Sequence, residues 1–512
     1  MRSASAELDE ATGALPVARP VARPWILPAG AAVASAVVFA LVSRHLIDDT
    51  YITLSYAKNL AFHAHWGLIE QGTANTATSP LNVLALGAVT FVVRDAVLAA
   101  GVVFVAAQVG LVLGLRRLAG RAGLPPAFAP LTFGLLLVNP LLLSSVGLEV
   151  ALGATGVVWT LVYAGERRPG RLGFVIGLLA LVRIDLLLIA LVLFLARRQF
   201  WDGIWRTVFG ALAVTLPWFG FSWLVLGSAV PDTLVIKISQ QSWGPFSFTN
   251  GPLLYWRNFP AAAALSFLPL LLGGLAGVLW LVQLRRGSAT ARRLTPFAML
   301  AVAGALHYVA YSRLGVPPYH WYYAPSIIGA TIFLGACVTA APHRARQAAW
   351  TGAGAVLAAS VAVYVLPGVP RRFAPITSNH ASTTEYREIG QELAVIAHGR
   401  TVETAGEVGA LAYACDCELV DEFSDRGAVD PAIAETKRRS GDLGRALLEA
   451  NFHNFDHSVA PISPELVLAT TRRAPPSTAL ASWRIDSPWM GPQNLYLMPA
   501  HAAGSRFSSA TP

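Results

Sequence analysis

Asp48 and Asp49 stand side by side, just after an apolar run that ends near residue 43. Two carboxylates at a membrane boundary are costly unless they are paired or put to use. They can supply a general base or a metal-binding pair; two solvated charges ending a helix are the plain alternative. The chain continues DDTYITLSYAKNL. Here Tyr51, Leu54, Tyr56 and Asn59 read as an amphipathic helix lying on a membrane surface, with its polar groups available to a substrate. Neighbouring helical residues point about 100° apart. One carboxylate is therefore expected to act as base, and the other to hold backbone donors, a metal or a basic group. Asp48, first after the span, is the favoured base.

Lysine occurs only at Lys58, Lys237 and Lys437, while arginine supplies the other 35 basic residues. Lys58, Lys237, Arg257 and Arg313 fall in loops expected on the same side as the acidic pair. A lysine can hold a phosphate as a point charge and an arginine as a fork; anchoring to lipid headgroups explains each equally well. Further polar groups expected on that side are Glu149 in GLEV, Asp232 in VPDTLVIK, and His320, Trp321 and Tyr322 in SRLGVPPYHWYYAP. Aromatic faces beside polar groups suit a sugar-binding cleft, and an interfacial aromatic belt accounts for the Trp and Tyr residues as well.

The elements that must position these residues are apolar. Of 512 residues, 13% are charged and 54% hydrophobic, whereas a soluble domain carries about 25% charge. This excludes a soluble enzyme, a disordered chain and a collagen-like one, and points to a polytopic membrane protein. Three cysteines exclude a disulfide scaffold. A spanning helix needs roughly 20 apolar residues. Such runs lie at 25–43, 96–115, 127–146, 149–165, 207–226, 261–284, 296–312, 324–341 and 348–366. A further run, 172–196, is interrupted by Arg183 and Asp185, and 79–93 is short enough to be re-entrant or interfacial.

Residues 1–366 carry a net charge of +13 and residues 367–512 one of −4. The basic excess is scattered between apolar runs and never forms an aromatic and basic stripe, so it indicates topology and no nucleic-acid partner. With the basic clusters kept in the cytoplasm, the N-terminus is inside and 172–196 folds back as a hairpin. This places 18 of the 25 basic residues of the membrane part inside. The expected fold is mainly α: a polytopic transmembrane bundle of about 11 crossings with a C-terminal extracytoplasmic α/β domain. Residues 1–24 form a cytoplasmic tail, 25–366 the bundle with an outer loop at 44–80, and 367–512 the outer domain. In that domain LVLATTRR and NLYLMP alternate like strands. EYREIGQELAVIAHG reads as an amphipathic helix with Ile389, Leu393 and Ile396 on one face. Cys415 and Cys417 read as two core-facing thiols, because a bridge across one residue on a strand is strained.

The outer Asp-Asp, the following YITLSYAKNL and TSPL, then GLEVAL at 147–152, LVRIDLLLIA at 181–190, VPDTLVIK at 230–237 and YHWYYAP at 319–325 together resemble the GT-C glycosyltransferases. The tail segment GEVGALAYACDCELVDEFSDRGAVDP is similar to the family's outer-domain segment. The pattern is most similar to the actinobacterial branch that includes the terminal arabinofuranosyltransferases. The resemblance implies a polyprenyl-phosphate sugar donor, with arabinofuranose the sugar of that branch, and a cell-envelope glycan or glycolipid acceptor. Its hydroxyl would attack the anomeric carbon at the outer face. Some branches use a divalent metal and others none, so the cofactor stays open. A transporter or flippase of lipid-linked precursors, and a non-catalytic scaffold of the same fold, are the alternatives.

Overall fold

The computed structural model describes residues 24–196, 201, 203–404 and 406–503. The N-terminal tail expected in the cytoplasm lies outside the described residues up to position 23, as do Arg197 and Arg198. The helices run α1 (Ile26–Val42), α2 (Asp48–His63), α3 (Pro80–Val93), α4 (Ala96–Ala122), α5 (Phe128–Leu137), α6 (Pro140–Ser144), α7 (Val150–Gly165), α8 (Pro169–Val182), α9 (Leu187–Ala196) and α10 (Ile204–Val225). They continue as α11 (Thr233–Gln240), α12 (Gly251–Asn258), α13 (Pro260–Arg285), α14 (Ala289–Leu314), α15 (Ala324–Thr339) and α16 (His343–Val365). Among the described residues, seven helices are long and apolar enough to cross a membrane: α1, α4, α10, α13, α14, α15 with the turn before it, and α16. Shorter apolar helices are α3, α5, α7, α8 and α9.

One expected span, 127–146, is broken, and the run 172–196 is interrupted as its charges indicate. In 127–146 the chain stops at Val138 and restarts as α6 at Pro140, whose ring cannot continue a preceding helix. Asn139 caps the new start by accepting from the N–H groups of Leu141 and Leu142 at 3.1 and 3.2 Å. In 172–196 the break is at Arg183, in extended backbone between α8 and α9. Helices α8 and α10 run parallel: Gly173 lies on Thr207 and Gly177 on Ala211. A Cβ on Gly173 would sit 2.0 Å from the Thr207 carbonyl oxygen, so only glycine permits this approach. Gly203, before α10, lies against Pro169 at the start of α8. Helix α9 must therefore bring the chain back to the end where α8 began. The two arms splay, α8 packing on α10 and α7, and α9 on α14.

The arginines gather at one end of the bundle. Arg116 bonds the Pro24 carbonyl, Arg117 and Arg121 reach Glu166 after α7, and Arg293 at the start of α14 lies beside Gly123 after α4. At the opposite end α1 passes into α2, and the C-terminal part docks there. Thr383 donates to the Leu46 carbonyl at 2.6 Å. The C-terminal part contains α17 (Thr383–Ala397), α18 (Gly409–Cys415), α19 (Arg426–Arg439) and α20 (Asp442–Asn451). Its strands are β1 (Val402–Thr404), β2 (Leu419–Val420), β3 (Leu466–Thr471), β4 (Ala481–Ile485) and β5 (Gln493–Pro499), in the sheet order β2-β1-β3-β5-β4. Strand β1 pairs parallel with β2 and β3, and the remaining pairs are antiparallel.

The two strands and the helix read from the tail sequence are β3, β5 and α17. A capping box between Ser382 and Glu385 fixes the start of α17, and Ile389 and Leu393 are buried on its inner face. The cysteine expectation is corrected. Cys415 and Cys417 form a disulfide, because they close a helix end and not a strand. Asp416 between them is left-handed (φ 51°), which folds the chain back and brings the two Cα atoms to 5.1 Å.

Candidate functional site at the head of α2

Helix α2 does not lie free on a membrane surface. It is packed between α3 and α18, which buries Tyr51, Leu54, Tyr56 and Asn59. This packing divides the work of the two aspartates. Asp48 points to the C-terminal part, where its oxygens accept the backbone N–H groups of Gly409 at 2.9 Å and Ala410 at 2.7 Å. Those donors open α18 and have no partner within the helix. A Cβ on Gly409 would lie 2.1 Å from the Asp48 carbonyl oxygen, so glycine is required for this contact. Burial and the nearby Glu407 push the Asp48 pKa up to about 8, against the pull of the two N–H groups. With both oxygens engaged by backbone donors, Asp48 ties the head of α2 to the start of α18.

Asp49 turns the other way and is half-buried. Its carboxylate is near its own backbone N–H and makes no hydrogen bond or ion pair with another described residue. Burial raises its pKa, Lys237 opposes that rise, and Glu149 adds to it. Lys237, from α11, is buried with its Nζ 3.4 Å above the Tyr319 ring centre and 4.7 Å from that of Phe423. A cation against ring faces is stabilised without being neutralised. The ammonium has no carboxylate within ion-pair distance, and burial brings its pKa down to about 8, with Asp49 and Glu422 resisting. Asp49 and Lys237 thus face one field while each stays free of a direct partner.

Aromatic rings flank Lys237 and lie within reach of the Asp49 charge. Asp49 acts electrostatically on Tyr255, Tyr319 and Tyr322. The Tyr319 hydroxyl donates to Gln240 Oε1 at 2.9 Å, and Gln240 bonds Glu422. Trp243 meets Tyr319 edge-on at 4.9 Å. Trp489, from the loop between β4 and β5, contacts Trp243 at 6.0 Å and Tyr255 at 6.5 Å. Both bundle and C-terminal part therefore supply rings beside the Asp49 and Lys237 pair.

Behind Asp49 lies a buried polar network. Arg183, at the break of the 172–196 run, donates to Glu149 at 3.0 Å, to Asp185 at 3.0 Å and to the Tyr311 hydroxyl at 2.6 Å. The Tyr311 hydroxyl donates to Asp185 at 2.8 Å, and His307 Nε2 lies 2.8 Å from the same carboxylate. The guanidinium also sits 4.7 Å from the centre of the Tyr322 ring. Such a closed network fixes the backbone around the broken helix.

The other sequence-selected residues divide clearly. Glu149 and Tyr322 join this network. The Tyr56 hydroxyl donates to the Ala74 carbonyl at 2.9 Å, and Asn59 donates to the Gly67 and Leu68 carbonyls at 2.9 and 3.2 Å. Both pin the loop 64–79 and do not reach the pair. His63, the last residue of α2, lies 3.2 Å from Glu70 of that loop. Asp232 accepts from Ser228 Oγ at 2.6 Å, and its backbone N–H bonds the Asn75 carbonyl, so it fastens the same loop to α11. Tyr51 packs edge-on to Tyr413 at 5.2 Å. Lys58 is paired with Asp416 and stacked on Tyr413, on the far side of α2 from Asp49. Arg257 is exposed and stacked on Phe246 at 5.1 Å. Arg313 is exposed in the last turn of α14. His320 and Trp321 are buried against Tyr255 and Tyr319 and back the aromatic wall.

Tyr255, Tyr319, Trp243, Trp489, Glu407, Glu422 and Gln240 were not selected from the sequence. Tyr319 carried a signal, standing directly before His320 in the aromatic run; the others follow no local pattern. Among the described residues no group of three His, Cys, Asp or Glu side chains could hold a metal ion.

Buried charge at the head of a broken-helix bundle, with a small C-terminal sheet docked on that end, is an architecture this chain shares with solved membrane proteins. The similarity extends over nearly the whole of one solved structure, ArnT from Cupriavidus metallidurans, at 14% identity and a TM-score of 0.50, covering 93% of this chain and 99% of that one. The arabinofuranosyltransferase AftD from mycobacteria gives a TM-score of 0.48 at 15% identity, over 92% of this chain. This chain spans about two fifths of AftD's length, 40% of it being covered. No family model and no curated protein matches the sequence.

Proposed function

We propose that the protein is an integral-membrane glycosyltransferase that moves a sugar from a polyprenyl-phosphate donor to an envelope glycan or glycolipid at the outer face, with Asp49 as the base. The single observation that carries this reading is a half-buried Asp49 carboxylate and a buried Lys237 ammonium within each other's electrostatic reach, each without an ion-pair partner among the described residues and beside aromatic rings, in a fold similar to that of ArnT. The acceptor hydroxyl attacks the anomeric carbon and passes its proton to Asp49. The bond from the anomeric carbon to the phosphate oxygen breaks, and the electron pair leaves with the lipid phosphate. Lys237 offsets the charge that grows there. Trp243, Trp489 and Tyr319 offer faces to a sugar ring. The arginine end lies in the cytoplasm on this reading, following the positive-inside rule, and the C-terminal part lies outside. The aromatic composition of the site favours a sugar acceptor, and arabinofuranose rests on the sequence resemblance.

Membranes containing the protein are expected to transfer labelled sugar from one member of a panel of polyprenyl-phosphate sugars to an envelope lipid extract, read by mass spectrometry. Absence of transfer from every donor, with a folded protein, would remove the enzymatic reading and leave the scaffold or flippase.

A further inference from the structure

A cavity of about 570 Å³ opens at the arginine end, away from Asp49. It lies where α4 and α7 finish, α9 returns and α14 begins. Arg121, Arg167, Arg292 and Arg293 line it, with apolar walls that include Leu161 and Phe297. Glu166, the carboxylate beside this end, is already shared by Arg117, Arg121 and Arg168. Arg121 also bonds the Gly165 carbonyl and so satisfies the end of α7. The guanidinium groups of Arg167, Arg292 and Arg293 make no ion pair or hydrogen bond among the described residues. A topological bias explains arginines at this end of the bundle. It does not explain why three with no partner among the described residues converge on a single cavity with apolar walls.

We infer that this cavity binds the headgroup of an anionic phospholipid, its phosphate held by Arg167, Arg292 and Arg293. Guanidinium forks match phosphate oxygens two by two, and basic pockets between membrane helices take lipid headgroups in this way. The apolar walls accommodate the glycerol and the first chain carbons, for which a free phosphate has no use. The cavity falls within the range of about 300–1,000 Å³ typical of small-molecule sites. The site is independent of the proposed transfer reaction, since none of its residues touches the Asp49 cluster.

The test uses the full chain reconstituted in nanodiscs of phosphatidylcholine with a minor share of phosphatidylglycerol, followed by native mass spectrometry. The wild type is expected to retain one phosphatidylglycerol. The Arg292→Gln, Arg293→Gln pair should lower retention at least tenfold. The Arg285→Gln, Arg286→Gln pair, at the same end but outside the cavity, should leave it unchanged. Equal retention of phosphatidylcholine, or undiminished retention in the Arg292 and Arg293 pair, would overturn the site. Displacement of the lipid by millimolar inorganic phosphate would overturn its assignment to a lipid. Should the glutamine pair not fold, the Arg292→Lys, Arg293→Lys pair keeps the charge and loses the forks. Retention should then fall several-fold, and retention equal to wild type would overturn the phosphate contact.

Discussion

At the end of the bundle that carries α2, charge is buried and most of it is matched: Asp48 to two backbone donors, and Arg183 to Glu149, Asp185 and Tyr311. At the other end arginines stand in the open around a single shared carboxylate, Glu166. Open arginines cost little and respond to their surroundings through long-range fields. Buried groups cost several kcal/mol if left alone, so the exceptions at the α2 end are informative. Among the described residues, Asp49 and Lys237 are two charged groups there that burial penalises and no direct partner compensates. A protein tolerates such a pair where a bound molecule completes it.

The sharpest break in this contrast is at Arg183. Replacing it with alanine leaves Glu149 and Asp185 buried without their cation, and should cost about 3–5 kcal/mol. In purified protein this reads as a markedly lower melting temperature, while Arg292→Ala at the open end should change it little. A similar melting temperature for both would mean the two ends are not energetically distinct.

A smaller effect is expected at Lys237. Alanine there removes the point charge for the phosphate and should raise the apparent donor KM about 10-fold to 100-fold with little change in melting temperature. The charged form of Lys237 is disfavoured by burial, so it is lost as pH passes about 8. Transfer in the wild type should rise as Asp49 sheds its proton and fall above about pH 8. In Lys237→Arg the upper limb should move to higher pH, since arginine stays charged. An upper limb that stays in place assigns the loss to another group.

The smallest effects belong to Arg257 and Arg313. Both are exposed, and Arg257 is stacked on Phe246. Alanine at either position should change transfer less than about twofold. A tenfold loss would return them to the donor site.

Residue types made much of this legible. Apolar length gave the helical bundle, and the arginine clusters mark one of its ends, because both follow from the solvent and not from tertiary detail. The break at Arg183 was visible as charge within an apolar run. That one carboxylate would hold backbone donors was legible as well; which of Asp48 and Asp49 does so was not, since it depends on α18 arriving 361 residues later to claim it. The pairing of Lys58 with Asp416 is of the same kind, and no local pattern announces it. Trp243, Tyr255 and Trp489 come from three separate segments and meet only in the fold.

The central claim is that Asp49, and not its neighbour, is the base, and paired asparagine variants test it most directly. Transfer, donor binding and melting temperature are measured for Asp49→Asn and Asp48→Asn in the same membranes. Asp49→Asn should lose about 10²–10⁴-fold in transfer while still folding and binding donor. Asp48→Asn should lower the melting temperature and keep transfer in proportion to the folded fraction. Near-normal transfer by Asp49→Asn, or its abolition in folded Asp48→Asn alone, would contradict the account.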